Sequence, residues 1–127
     1  MKNITIALTI MFLSVAMNAI AVDSSTVIYK GIASWYSEDD PGVLNTTANM
    51  ERFDDTKFTC AMWDIPINTI LKVTNIENGR QVFVRVNDRG PAKRLVREGR
   101  IIDLTKAAFS SLSDPETGLI QVSVEII

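Results

Sequence analysis

The chain has 127 residues, of which 46% are hydrophobic and 22% charged, and its formal net charge is −2. That is room for one domain with a modest core, and the slightly acidic balance excludes nucleic acid as the main partner, because phosphate binding needs a basic face. Histidine is absent and cysteine occurs once. This excludes Ser-His-Asp and Cys-His nucleophile systems, imidazole zinc sites and disulfide frameworks, so the chemistry rests on carboxylates, hydroxyls, lysine, arginine or aromatic rings, with no cofactor and no metal expected.

Residues 1–21 read as a signal peptide. Lys2 supplies the positive start, Ile4 to Ala16 is almost wholly apolar, and Ala19-Ile20-Ala21 is an A-x-A cleavage pattern. The apolar run is short of the ~20 residues a membrane span needs, and no cysteine lies near the cleavage point to take a lipid. The expectation is an exported domain, residues 22–127, without a membrane span and without a cysteine-linked lipid anchor. Held together without disulfides, it calls for a compact β architecture closed by burial and backbone pairing.

Thr26 to Tyr36 reads as a strand with Val27, Tyr29, Gly31, Ala33 and Trp35 on one face. Ser37 to Asp55 is a long polar stretch around Pro41-Gly42, and a loop of that length in a small domain is usually functional or mobile. Cys60, among Phe58, Thr59, Ala61 and Met62, reads as a buried small hydrophobe. Leu71 to Thr74 and Gln81 to Val86 alternate at period two around Asn78-Gly79, a strong hairpin signal. Asp103 to Leu112 reads as one helix capped by Asp103 or Thr105, with Leu104, Ala107, Ala108 and Leu112 inward. Gln121 to Ile127 alternates again, with Val122, Val124 and Ile126 inward. Five or six short strands and one helix, with no βαβ rhythm, point to a small β-barrel.

Five places can carry chemistry, each with a plainer reading. Asp88 ends the best-defined strand ahead of Arg89-Gly90-Pro91, either as a rim carboxylate open to a ligand or as a turn cap. Asp103 reads as a helix cap, and Glu51 as a solvated loop charge. Trp35 and Tyr36 are either core or a platform for a sugar ring. The basic stretch Arg89, Lys93, Arg94, Arg97 and Arg100 reads as a solvated loop, or as a surface that steers an anionic polymer.

Taken in order, Gly31 to Tyr36, Thr47-Ala48-Asn49, Lys72 to Arg80, Val84 to Pro91 and Arg100 to Ala108 resemble the rare lipoprotein A (RlpA) family. The resemblance covers roughly Lys30 to Ile126. It implies a mainly β fold, a small six-stranded double-psi β-barrel with one short helix, related to expansins. It implies action on peptidoglycan glycan strands, preferably stripped of stem peptides, by lytic transglycosylation: the MurNAc–GlcNAc linkage breaks without water and leaves a 1,6-anhydro end. One carboxyl group then suffices as acid and base, and the two-carboxylate rule of ordinary glycosidases is not required. By motif position Asp88 is the catalytic aspartate, Glu51 a helper, and Asp103 structural. Trp35, Tyr36, Thr47, Asn87 and Arg89 are the expected substrate contacts. Two departures stand out. Met62 occupies the position of the family's histidine, and Met50 that of the glycine before the glutamate. A thioether neither donates a strong hydrogen bond nor carries a proton. The alternative function is therefore a non-catalytic, expansin-like module that binds or loosens the wall.

Overall fold

The computed structural model describes residues 26–127; the expected signal peptide at 1–21 lies outside the described residues. Six strands form: β1 (Ile28–Tyr36), β2 (Thr59–Ala61), β3 (Ile70–Asn75), β4 (Gln81–Asp88), β5 (Arg100–Thr105) and β6 (Ile120–Ile126). They close into a barrel in the order β1-β5-β2-β4-β3-β6. The pairs β1/β5 and β2/β4 are parallel, and the remaining neighbours are antiparallel. Closure leaves no free sheet edge, which suits a small domain without disulfides.

Alternation at period two fills the barrel. Leu71 and Val73 from β3, Val84 and Val86 from β4, Ile102 and Leu104 from β5, and Val122 and Val124 from β6 are all but fully buried. Cys60 lies among them, and burial pushes its thiol pKa up, as a packing residue requires. The β3–β4 hairpin turns where expected: Gly79 has φ +76°, and its N–H reaches the Asn75 carbonyl at 2.8 Å. Ile126, expected inward, is 36% exposed because it ends its strand at the barrel rim.

Two expectations need correction. Asp103 to Leu112 is not one helix, since Arg100–Thr105 is the strand β5 and the helix α2 runs from Lys106 to Leu112. Leu104 faces inward from a strand, one position from Asp103, and not from a helical stripe. The segment pairs on both sides, with β1 and with β2, and that backbone pairing overrides the local helix signal. The cap of α2 is therefore Thr105, not Asp103. Its Oγ1 accepts from the Ala108 N–H at 3.3 Å and donates to the Lys57 carbonyl at 2.6 Å. The basic stretch is not all loop either, because Lys93–Arg97 forms a short helix, α1, with no buried residue. A 3₁₀ turn at Pro115–Thr117 completes the set.

Replacing Thr105 by Val removes the cap and leaves a carbonyl without its donor in a fully buried position. The expected loss is about 1–2 kcal/mol, read as a lower melting temperature. Asp103→Asn, which removes no cap, should leave α2 helicity unchanged by circular dichroism.

Candidate active site

One row of residues crosses four neighbouring strands. Ser34 on β1 pairs with Asp103 on β5, Asp103 with Ala61 on β2, and Ala61 with Asp88 on β4. Side chains in such a row share a face. Here it is the face opposite the buried Ile102 and Leu104, and the 37–55 loop lies over it. Between Asp88 and Asp103 stands Ala61, whose side chain is a single methyl group, so the space above it stays open. The result is a groove of about 600 Å³ lined by Tyr36, Thr47, Ala48, Ala61, Asp88, Arg89, Gly90 and Asp103, with Val43, Leu44 and Met50 of the loop on its outer wall.

A bulge aims Asp88. Cys60 pairs with Val86 and Ala61 with Asp88, so the register skips Asn87. Bulges beside active sites commonly re-aim one side chain in this way. Asn87 stays on the outer face of β4, covered to 3% exposure, with its Nδ2 3.5 Å from a Glu51 carboxylate oxygen. Asp88 turns to the groove. Its Oδ1 accepts from the Arg89 N–H at 2.9 Å and from the Ala48 N–H at 3.2 Å. Among the described residues nothing donates to its Oδ2.

Asp103, expected as a structural helix cap, lies in the groove. Ser34, itself buried, donates to its Oδ1. Burial pushes the Asp103 carboxyl up, against the lowering effect of that hydrogen bond and of Arg100, and the charge of Asp88 adds to the rise. The signal was present as alternation: Ile102 and Leu104 inward put Asp103 on the other face. The helix reading concealed it.

The expected substrate residues separate. Tyr36 lines the groove, its ring 4.7 Å from that of Phe53, and its hydroxyl is buried without a partner. Burial, followed by the charge of Asp88, raises its pKa far above the ordinary value, so it stays a protonated donor. Trp35 is not in the groove. Its Nε1–H donates to the Pro115 carbonyl at 2.8 Å and its ring packs toward Phe109, because neighbours on a strand point to opposite faces. Thr47 lines the groove, but its hydroxyl is engaged inside the loop with Asn49 and the Glu51 carbonyl. Asn87 is buried away from the groove, and Arg89 stands at its rim.

Glu51 does not line the groove. Both its oxygens are held by Arg85, at 2.6 and 2.8 Å, and Asn49 adds a bond of 2.6 Å. The Arg85 hydrogen bonds lower its pKa to about 2, so at neutral pH it has no proton to give. A depressed carboxylate stabilises the fold above its unfolded value of 4.5 and loses that contribution as pH falls toward about 2. Asp103 works in the opposite direction, since the cost of burying its charge is relieved as its carboxyl protonates. We expect the melting-temperature advantage of the native chain over Glu51→Gln to shrink steadily between pH 5 and pH 2, as followed by thermal scans.

Comparison with known proteins bears on this geometry. A family model described as lytic transglycolase matches residues 28–124, the whole barrel. The chain belongs to that family. It is 46% identical over 97 residues to the endolytic peptidoglycan transglycosylase RlpA of Campylobacter jejuni subsp. jejuni, covering 76% of this chain and 33% of that protein. Against the protein of the same name from Yersinia pestis it is 48% identical over 83 residues, 65% of this chain and 21% of that one. The chain thus spans about a third or less of these relatives. Among solved structures, a Clavibacter michiganensis expansin superposes with a TM-score of 0.61 at 22% identity, over 80% of this chain and 50% of that one. A Streptomyces papain inhibitor gives a TM-score of 0.61 at 21% identity, over 80% and 94%. At those identities the likeness concerns the fold alone, and it agrees with the double-psi β-barrel expected of an RlpA-family domain.

Proposed function

We propose that this RlpA-family chain cleaves peptidoglycan glycan strands by lytic transglycosylation, with Asp88 as its acid and base. The observation that carries this reading is the asymmetry of the Asp88 carboxyl in the groove. One oxygen is tied by two backbone amides, and the other is open to a ligand. In its protonated form the group gives its proton to the glycosidic oxygen as the C1–O bond of MurNAc breaks. In its ionised form it takes the proton of the sugar's own C6 hydroxyl, whose oxygen closes on C1. The proton gained equals the proton lost, no water enters, and a 1,6-anhydro end remains. The names of the relatives, endolytic peptidoglycan transglycosylases, support peptidoglycan as the substrate and transglycosylation as the reaction.

Tyr36 offers an aromatic wall to the sugar, and Arg89 a charge at the rim. Strands stripped of stem peptides are the proposed substrate, as the family resemblance implies, and the 37–55 loop walls the groove in which they would lie. Export through the segment 1–21 belongs to the same proposal.

A second reading, a binder that holds glycan without cutting it, is favoured by Met62. It stands where the family's histidine is matched, and its side chain lies in the apolar core, outside the groove lining. Incubating the chain from residue 22 onward with amidase-treated sacculi separates the two. Soluble fragments with anhydro-MurNAc ends establish cleavage. Sedimentation with the sacculi and no released fragment establishes the binder.

A further inference from the structure

Arg85 lines neither the groove nor the apolar core, yet it fastens the loop whose Ala48 amide reaches the Asp88 carboxylate. On β4 it lies two residues from Asn87, on the same face, and both side chains turn to Glu51. The guanidinium grips the carboxylate with two parallel bonds, a geometry that lysine cannot reproduce. A third bond of 2.9 Å to Asn68 Oδ1 holds the guanidinium from the other side. Glu51 in turn organises its own loop. Its carbonyl accepts from the Thr47 N–H at 2.9 Å, its carboxylate from Asn49, and the Met50 N–H closes on the Thr47 carbonyl at 3.0 Å. The turn is tight enough to put Met50 at φ +69°. At its apex the Ala48 N–H points out and lands on Asp88 Oδ1.

We infer that Arg85 is a positioning residue: through its two-pronged ion pair with Glu51 it folds the 46–52 turn so that the Ala48 amide occupies Asp88 Oδ1, leaving Oδ2 as the oxygen that carries the proton. The inference rests on the reading of Asp88 as the acid and base. A surface ion pair by itself contributes little stability. The consequence of breaking this one therefore falls on the orientation of Asp88 more than on the fold. It also gives Glu51 a part that matches its permanent charge: it shapes the loop and moves no proton.

Two readouts test this in the chain from residue 22 onward, with Arg85→Met, Arg85→Lys, Glu51→Gln and the double variant Arg85→Met/Glu51→Gln. The first is amide hydrogen exchange at Ala48, followed by NMR, which needs no catalysis. Protection at Ala48 should be lost in Arg85→Met and in Glu51→Gln, and Arg85→Lys should not restore it, while amides of β3 and β6 keep theirs. The second is the kinetics of anhydro-end formation on stripped glycan. Losing one hydrogen bond to an ionised group should lower kcat about tenfold with KM unchanged, and the double variant should be no worse than either single one. Unchanged Ala48 protection in Arg85→Met overturns the inference. So do losses that multiply in the double variant, or a rise in KM with kcat intact. If the native chain releases no anhydro ends, the proposed function fails, and Ala48 exchange still decides whether the ion pair delivers the amide.

Discussion

Asp88→Asn should abolish anhydro-end release while leaving the barrel intact. Asparagine keeps the shape of the side chain, and its carbonyl oxygen still accepts from the Ala48 and Arg89 amides. It cannot give up or take a proton on the reaction path. General acid–base catalysis from one positioned group is worth about 10²–10⁴-fold, so release should drop by at least about 10²-fold. The melting temperature should move by no more than a few degrees, because no buried apolar contact changes. Residual cleavage of more than a few per cent of the native rate would place the acid elsewhere, with Asp103 the next carboxyl in the row.

Among the glycines of the described residues, Gly90→Ala should carry the largest stability loss. Gly90 follows Asp88 by two residues and has φ +137°, a conformation in which other residues are strained. A methyl group there would meet the Trp63 ring at 2.5 Å and the Trp63 backbone nitrogen at 2.9 Å. The ring cannot swing aside without losing its hydrogen bond to the Pro91 carbonyl, 2.6 Å, and the Lys93 ammonium 3.8 Å over its face. Backbone strain and overpacking each cost about 1–3 kcal/mol, and a sum of about 2–6 kcal/mol lowers the melting temperature of a domain this size by roughly 10–30 °C. Gly79→Ala is the control. Gly79 also has positive φ, but a methyl group there meets nothing within 4 Å, so only the strain component should appear. Equal losses in the two variants would remove the Trp63 contact from the account.

Local alternation located most of the barrel. The β3–β4 hairpin and β6 form where period two and Asn78-Gly79 place them, and Asp88 sits at a strand end as its position before Gly90-Pro91 suggests. What failed was β5, where Ile102 and Leu104 fit a strand and Lys106 to Leu112 fit a helix with no breaker between them. Pairing with β1 and β2, which no local window contains, decided the boundary. The same long-range cause hid the groove. The bulge that skips Asn87 arises from β2–β4 register, and that register leaves Asn87 facing Glu51 and turns Asp88 to the groove. Trp35 and Tyr36 could have been separated in advance, since adjacent strand residues cannot share a face. The Arg85–Glu51 pair joins residues far apart in the chain, and no spacing rule announces it.

In the proposed reaction the Asp88 carboxyl closes the C6 oxygen of the sugar onto C1 and lets no water in. Digestion of stripped glycan strands in heavy-oxygen water, read by mass spectrometry of the released ends, tests it directly. The account predicts ends one water lighter than a free reducing sugar and carrying no label. Labelled reducing ends would contradict it, showing that water attacks C1 and that the groove hydrolyses its glycan.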